Sequence, residues 1–218
     1  MSVDVLNTSI RGCYNMHGSL LPKYRGRASV NWAVLHGETK TGATFHEMVK
    51  KPDAGAIVGL MAVPILPSDT ATEVFSKVVV AAELVLNETL PTIVSGSIEI
   101  QEMDITQGSY FGGRKPQDGI IDWAMMGARQ IHNLVRTVSY PYQGAFSYTS
   151  RGKMVIWRTI MAESQDSFAG PCLWQKNNQV FSTACDGGVL RIISAEIEGR
   201  ELCPAGFPDL FHSSFSLC

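Results

Sequence analysis

CYNMHGSLLPKYRGRASVNWAVLHG, residues 13–37, is the stretch on which the reading of this chain turns. Residues 13–17 leave the turn at Gly12 as a short β-type run and stop at Gly18 and Ser19. Residues 20–27 cannot be helical throughout, because Pro22 and Gly26 interrupt them. Residues 28–36 carry no such break and predict a short helix, closed by Gly37 where a left-handed cap is wanted. Further out, residues 41–49 alternate as a strand should, 50–55 form a loop, and 56–64 are apolar almost throughout, as expected of a strand buried on both faces. Thr70 and Glu73 stand in capping-box spacing before a long helix. Val74, Phe75, Val78, Val79, Ala82, Val85 and Leu86 are expected on its buried face. Strand, helix, strand and long helix in this order predict an α/β fold around a parallel sheet.

The character changes near residue 105. Residues 105–118 are rich in turn formers and read as a linker between a first unit, 1–104, and a second, 119–200. The second unit holds one helix over 128–138 and β-type runs at 145–148, 154–160, 179–184 and 189–193, which predict a small β-barrel. Residues 201–218 show no period and are assigned no structure. Apolar residues make up 45% of the chain and charged ones 17%, a globular balance that excludes a disordered chain. The formal charge of -2 gives no electrostatic reason to expect nucleic acid or an anionic membrane as partner. The five cysteines, Cys13, Cys172, Cys185, Cys203 and Cys218, are scattered and read as reduced thiols rather than a disulfide or zinc framework. The N-terminal residues do not have the pattern of a signal peptide, and Lys77, Glu83 and Glu88 interrupt the most apolar long run. A soluble cytoplasmic protein without membrane insertion is expected.

The chemistry lies between Asn15 and Asp53. An Asn and a His two apart on one strand point to the same face, and at the carboxyl end of a parallel strand that face meets the ligand crevice of α/β folds. An Asn amide suits an oxyanion, and an imidazole exchanges protons near neutral pH. Asp53, in a Gly-containing loop, is the best placed carboxylate to orient that ring. Each residue also has a plain structural reading: a single strand His is more often structural, and Asp-Ala-Gly is usually a turn. His36, His46, His132 and His212 fit no ligand spacing, so no metal is expected.

The string from Asn15 and His17 through Pro22-Lys23-Tyr24-Arg25-Gly26, with Trp32-Ala33, Gly37-Glu38, Thr41-Gly42 and Asp53-Ala54-Gly55, resembles the 10-formyltetrahydrofolate-dependent formyltransferases. Phe111-Gly112-Gly113-Arg114, Asp118-Gly119, Ile121-Asp122-Trp123 and 141–146 extend the likeness. The resemblance implies a partial Rossmann-like formyltransferase domain followed by an OB-like β-barrel. It implies 10-formyltetrahydrofolate as formyl donor and attack on the formyl carbon by an amine. His17 would transfer the proton, Asn15 would hold the oxyanion, and Asp53 would raise the pKa of His17. Arg27 and the loop Val49, Lys50, Lys51, Pro52 and Asp53 match positions that contact the folate in this family. Within it, His17-Gly18-Ser19 and Lys23 to Arg27 favour the branch that formylates a UDP-amino sugar, UDP-4-amino-4-deoxy-L-arabinose, in lipid A modification. Methionyl-tRNA formyl transfer, with nucleic acid as partner, is the alternative.

The family places several βα units before the Asn-x-His strand, whereas about a dozen residues precede Asn15 here. The expectation is a chain truncated at its N-terminus. Two readings therefore stand, an active formyltransferase of an amino sugar nucleotide and an inactive remnant. On the second reading the 218 residues alone are poorly stable and transfer no formyl group.

Overall fold

The computed structural model describes residues 3–166, 168–211 and 214–217, so that His212 and Cys218 lie outside the described residues. The chain divides into two compact units, Met1–Arg114 and Lys115–Cys218. In chain order the first holds α1 (Val3–Leu6), β1 (Tyr14–His17), β2 (Arg25–Gly26), α2 (Ser29–Leu35), β3 (Lys40–Glu47), β4 (Ile57–Pro64), α3 (Ala71–Ser95) and β5 (Tyr110–Phe111). Helix, strand and loop fall close to where the sequence puts them. His36 caps α2, and Gly37 follows at φ 71°.

The pairing differs from expectation. β1, β3 and β4 form a three-stranded sheet in the order β1-β3-β4, and both pairings are antiparallel. The loop between β3 and β4, residues 48–56, is shorter than the roughly dozen residues a parallel crossover needs, so the two strands close as a hairpin. Parallel pairing occurs only in the short β2-β5 ladder among the described strands. Nor is β4 buried on both faces. Met61 and Val63 pack into the core beneath α3, while Leu60, on the opposite face, is exposed.

α3 meets the sheet along a single stripe of Ala71, Val74, Val78, Ala81 and Val85, a helical spacing. Phe75 and Val79, expected on that face, are 56% and 49% exposed. A three-stranded sheet is too narrow to cover the wider apolar arc. By length and composition alone α3 could cross a membrane. Here its buried stripe joins Val30, Ala33 and Val34 of α2 and Ala43 of β3 in one core. The helix starts where the sequence signal said. Thr70 Oγ1 accepts the Glu73 N–H at 3.3 Å and Glu73 Oε2 accepts the Thr70 N–H at 2.6 Å.

The second unit holds α4 (Ala128–Val138), β6 (Ala145–Thr149), β7 (Gly152–Ala162), β8 (Cys172–Lys176), β9 (Gln179–Thr183), β10 (Val189–Ile197), β11 (Arg200–Glu201), α5 (Phe207–Phe211) and β12 (Ser214–Ser216). Seven strands make one curled antiparallel sheet in the order β12-β8-β9-β10-β7-β6, with β11 paired to β10. α4 lies against β7, and its Ile131, Leu134 and Val135 are buried together with Met154 and Ile156 of that strand. The buried indole of Trp123 donates to Ser147 Oγ at 3.0 Å, and that of Trp174 to Thr183 Oγ1 at 3.1 Å, so neither ring buries an unmet N–H. The C-terminal stretch assigned no structure in fact supplies α5 and β12, with Phe207 fully buried. Elements of three to five residues are too short for a period to show.

Replacing Thr70 with Ala removes the capping box of α3. The expected cost is about 1 kcal/mol, read as a lower urea midpoint with an unchanged slope; an unaltered midpoint would show that the cap contributes nothing.

Candidate active site

Asn15 and His17 sit on one side of the β1–β3 ladder. Antiparallel register sets Asn15 opposite His46 and His17 opposite Thr44. The site is thus built across neighbouring strands rather than at the carboxyl ends of parallel ones. His17 is buried at 7% exposure, at the point where β1 runs into the loop through Pro22 and Gly26.

That loop is tied down at almost every residue. Thr44 Oγ1 donates to Ser19 O at 2.6 Å and accepts from Leu21 N–H at 3.2 Å. Ser19 Oγ donates to Lys23 O, and Tyr24 and Arg25 N–H both bond Ser109. Phe111 stacks between Tyr24 and Trp32, with ring centroids 5.4 and 4.9 Å away, and the Arg114 guanidinium lies 5.0 Å over Trp32. These contacts give the Phe111 to Arg114 motif a role in holding the loop. Tyr24 O–H donates to Glu38 Oε1 at 3.0 Å; burial, then that bond and the charge of Glu38, push its ionisation well above the usual tyrosine range.

Asp53 occupies the β3–β4 loop with φ 48°, a left-handed conformation that Asp tolerates better than most residues. Gly55 beside it is required: a Cβ there would collide with the Glu47 carbonyl. Asp53 Oδ2 accepts the Gly26 N–H at 2.8 Å and lies 3.8 Å from His17 Nδ1, while Oδ1 lies 3.6 Å from His46 Nε2. Burial opposes the charge of this carboxylate, but the His46 ring, the Gly26 N–H and His17 outweigh it and hold the carboxyl below its ordinary range.

The hydrogens on both rings follow from their partners. His17 Nε2 faces Tyr24 O at 2.8 Å, and a carbonyl only accepts, so Nε2 carries the hydrogen. Nδ1 is then the nitrogen that can gain or lose a proton, and it looks at Asp53. His46 Nδ1 faces Glu47 O at 2.7 Å and likewise carries a hydrogen, which leaves Nε2 between Asn15 Nδ2 at 3.4 Å, a donor to it, and Asp53 Oδ1 at 3.6 Å, an acceptor from it. Two histidines around an aspartate also suggest a metal site. Among the described residues, however, no such group could hold one.

The structure therefore brings Asn15, His17 and Asp53 together. Arg27 follows Gly26, the residue bonded to Asp53, and its guanidinium lies exposed across Gly113. Val49, Lys50, Lys51 and Pro52 form the exposed stretch leading into Asp53. His46 is the residue that sequence reasoning missed, dismissed for want of a ligand spacing. No signal within β3 marks it; its place opposite Asn15 follows from the antiparallel pairing of β1 with β3.

The depressed ionisation of Asp53 has a stability consequence. A carboxyl whose folded value lies below its unfolded one, about 3.9, stabilises the fold above that pH and ceases to as pH falls through the folded value. Unfolding free energy measured between about pH 2 and 5 should fall more steeply for wild type than for Asp53→Asn; parallel curves would show that the carboxylate is not stabilised by its neighbours.

Comparison with solved structures finds the same fold. An N-formyltransferase from Helicobacter canadensis, solved with folinic acid and dTDP-3-aminofucose, superposes with a TM-score of 0.67 at 20% identity, over 82% of this chain and 65% of that one. HypX from Aquifex aeolicus, solved with tetrahydrofolic acid, gives 0.66 at 18% identity, over 89% and 34%. A sugar N-formyltransferase from a Shewanella species gives 0.58 at 25% identity, over 71% and 63%. The chain thus spans less than two thirds of the length of each of these structures. Residues 1–90 match the formyl transferase family and residues 114–207 its C-terminal domain, and on these two matches together the chain belongs to the formyltransferase family.

Proposed function

We propose that this chain transfers a formyl group from 10-formyltetrahydrofolate to the amine of a nucleotide-linked amino sugar in the cytoplasm. The finer reading is UDP-4-amino-4-deoxy-L-arabinose, formylated for lipid A modification. The observation that carries the proposal is the Asp53 carboxylate, bonded to Gly26 N–H and facing His17 Nδ1, on the side of the β1–β3 ladder that also holds Asn15. One of the similar structures is a sugar N-formyltransferase and another was solved with an amino sugar nucleotide, which supports a sugar amine over a tRNA acceptor.

The donor set suits a folate. Exposed cations stand at Lys50 and Lys51, just before Asp53, and at Arg27, just after the Gly26 bonded to it, a supply of positive charge that suits the two carboxylates of a folate's glutamyl tail. Arg27 and Val49 to Asp53 are the residues proposed to hold it. When bound, 10-formyltetrahydrofolate supplies a formyl carbon that an amine can attack.

The chain's own residues then have distinct tasks. An amine that adds to a carbonyl carbon loses a proton and leaves negative charge on the oxygen. The Asn15 amide has two N–H bonds; one meets His46, and the other is proposed to hold that oxygen. His17 takes the amine proton on Nδ1, because Nε2 already holds its hydrogen against Tyr24 O. The imidazolium so formed lies between the Tyr24 carbonyl and the Asp53 carboxylate. The same nitrogen can hand the proton to the departing amine, so the charges balance without a covalent enzyme adduct.

The assay supplies the chain with 10-formyltetrahydrofolate and UDP-4-amino-4-deoxy-L-arabinose, a dTDP-amino sugar or methionyl-tRNA, and reads the formylated product by mass. Product on an amino sugar nucleotide is expected, reduced about 100- to 10,000-fold by His17→Ala. Formylation of methionyl-tRNA alone, no product at all, or an active His17→Ala variant would overturn the proposal.

A further inference from the structure

His46 is 1% exposed, lies in the middle of the site and has no part in the chemistry above. Its Nδ1–H is committed to Glu47 O, so its remaining nitrogen, Nε2, is the one that can change state. Two groups compete for that nitrogen. Asn15 Nδ2, at 3.4 Å, can only donate to it; Asp53 Oδ1, at 3.6 Å, can only accept from it. A neutral ring satisfies Asn15 and turns a lone pair toward the carboxylate. A protonated ring satisfies Asp53 and turns an N–H toward the Asn15 amide. No state of the ring satisfies both.

We propose that His46 is a positioning residue that sets the direction of the Asn15 amide when neutral and captures Asp53 when protonated. The neutral Nδ1–H ring accepts one Asn15 hydrogen and so aims the other at the site of the oxyanion. On protonation it releases Asn15 and draws the Asp53 carboxylate away from His17, so that both parts of the site lose their alignment together. The other groups facing His46 do not resolve the competition. From β1 the His17 ring lies edge-on with centroids 6.5 Å apart, and from β4 the paired residue is the uncharged Ile57. This inference rests on the role proposed for Asn15, but its first test needs no turnover.

That test is a side-chain NMR titration of the full chain, reading the histidine nitrogens and the Asn15 amide between about pH 5 and 8, where imidazoles titrate. At the alkaline end His46 should be the Nδ1–H tautomer with Nε2 as acceptor. On acidification Nε2 should gain a hydrogen, and the Asn15 amide signals should move with the same midpoint. A Nε2–H tautomer at neutral pH, or Asn15 signals that do not follow the ring, would overturn the proposal whatever the activity. The second test compares His46→Gln, whose amide oxygen can still accept from Asn15, with His46→Phe, which cannot. His46→Phe should lose about tenfold in kcat, the worth of one such hydrogen bond, at little changed KM. His46→Gln should recover much of that loss and keep its activity to lower pH than wild type. Equal kcat values and pH profiles for the two variants would reduce His46 to a packing residue and overturn the inference.

Discussion

Everything in the candidate site depends on one carboxylate being held in a loop by a backbone N–H. Asp53 Oδ2 accepts the hydrogen of Gly26, and this single bond ties the β3–β4 loop to the segment that follows the Asn-x-His strand. Gly26 itself is fixed by the short ladder with Phe111, and at φ 98° it could not carry a Cβ without meeting the Phe111 carbonyl. The bond therefore joins three stretches of chain distant in sequence. With Oδ2 anchored, Oδ1 and the second lone pair of Oδ2 are left to face His46 and His17. Bonded in this way, the carboxyl is held below its ordinary ionisation range by the His46 ring, the Gly26 N–H and His17.

The sheet explains why the parts meet. Pairing of β1 with β3 in antiparallel register puts Asn15 across from His46, and the hairpin to β4 sends the intervening loop back over the same side. Thr44, two residues before His46, spends both of its hydroxyl bonds on the loop after His17. Strand β3 thus supports the site at two levels, with one side chain that shapes the loop and one that lies among the proposed catalytic groups. The aromatic stack of Tyr24, Phe111 and Trp32 closes the far side of the same loop.

Much of this was legible in the sequence, for identifiable reasons. The capping box at Thr70 and Glu73, Gly37 after α2 and the breaks at Pro22 and Gly26 are local signals, and local signals survive folding. Asn15, His17 and Asp53 could be named because their spacing matches a known arrangement. The sheet's direction is not carried by the pattern within either strand; it follows from the shortness of the β3–β4 loop, which was legible but outweighed by the strand-helix order that suggests a parallel sheet. Phe75 and Val79 were misplaced because helical spacing tells which residues share a face, not how wide a surface waits for them. His46 escaped notice because its significance lies in pairing with another strand, which no motif within β3 reveals.

Hydrogen exchange at the Gly26 amide tests the organising role of Asp53 most directly. In wild type this hydrogen is bonded to the carboxylate and should exchange slowly, at a rate comparable with the amides of the β1–β3 ladder. In Asp53→Ala it should exchange far faster, while protection elsewhere in β3 and α3 persists. Equal protection of Gly26 in the two proteins would contradict the account, since the loop would then be held by something other than the carboxylate around which the site is built.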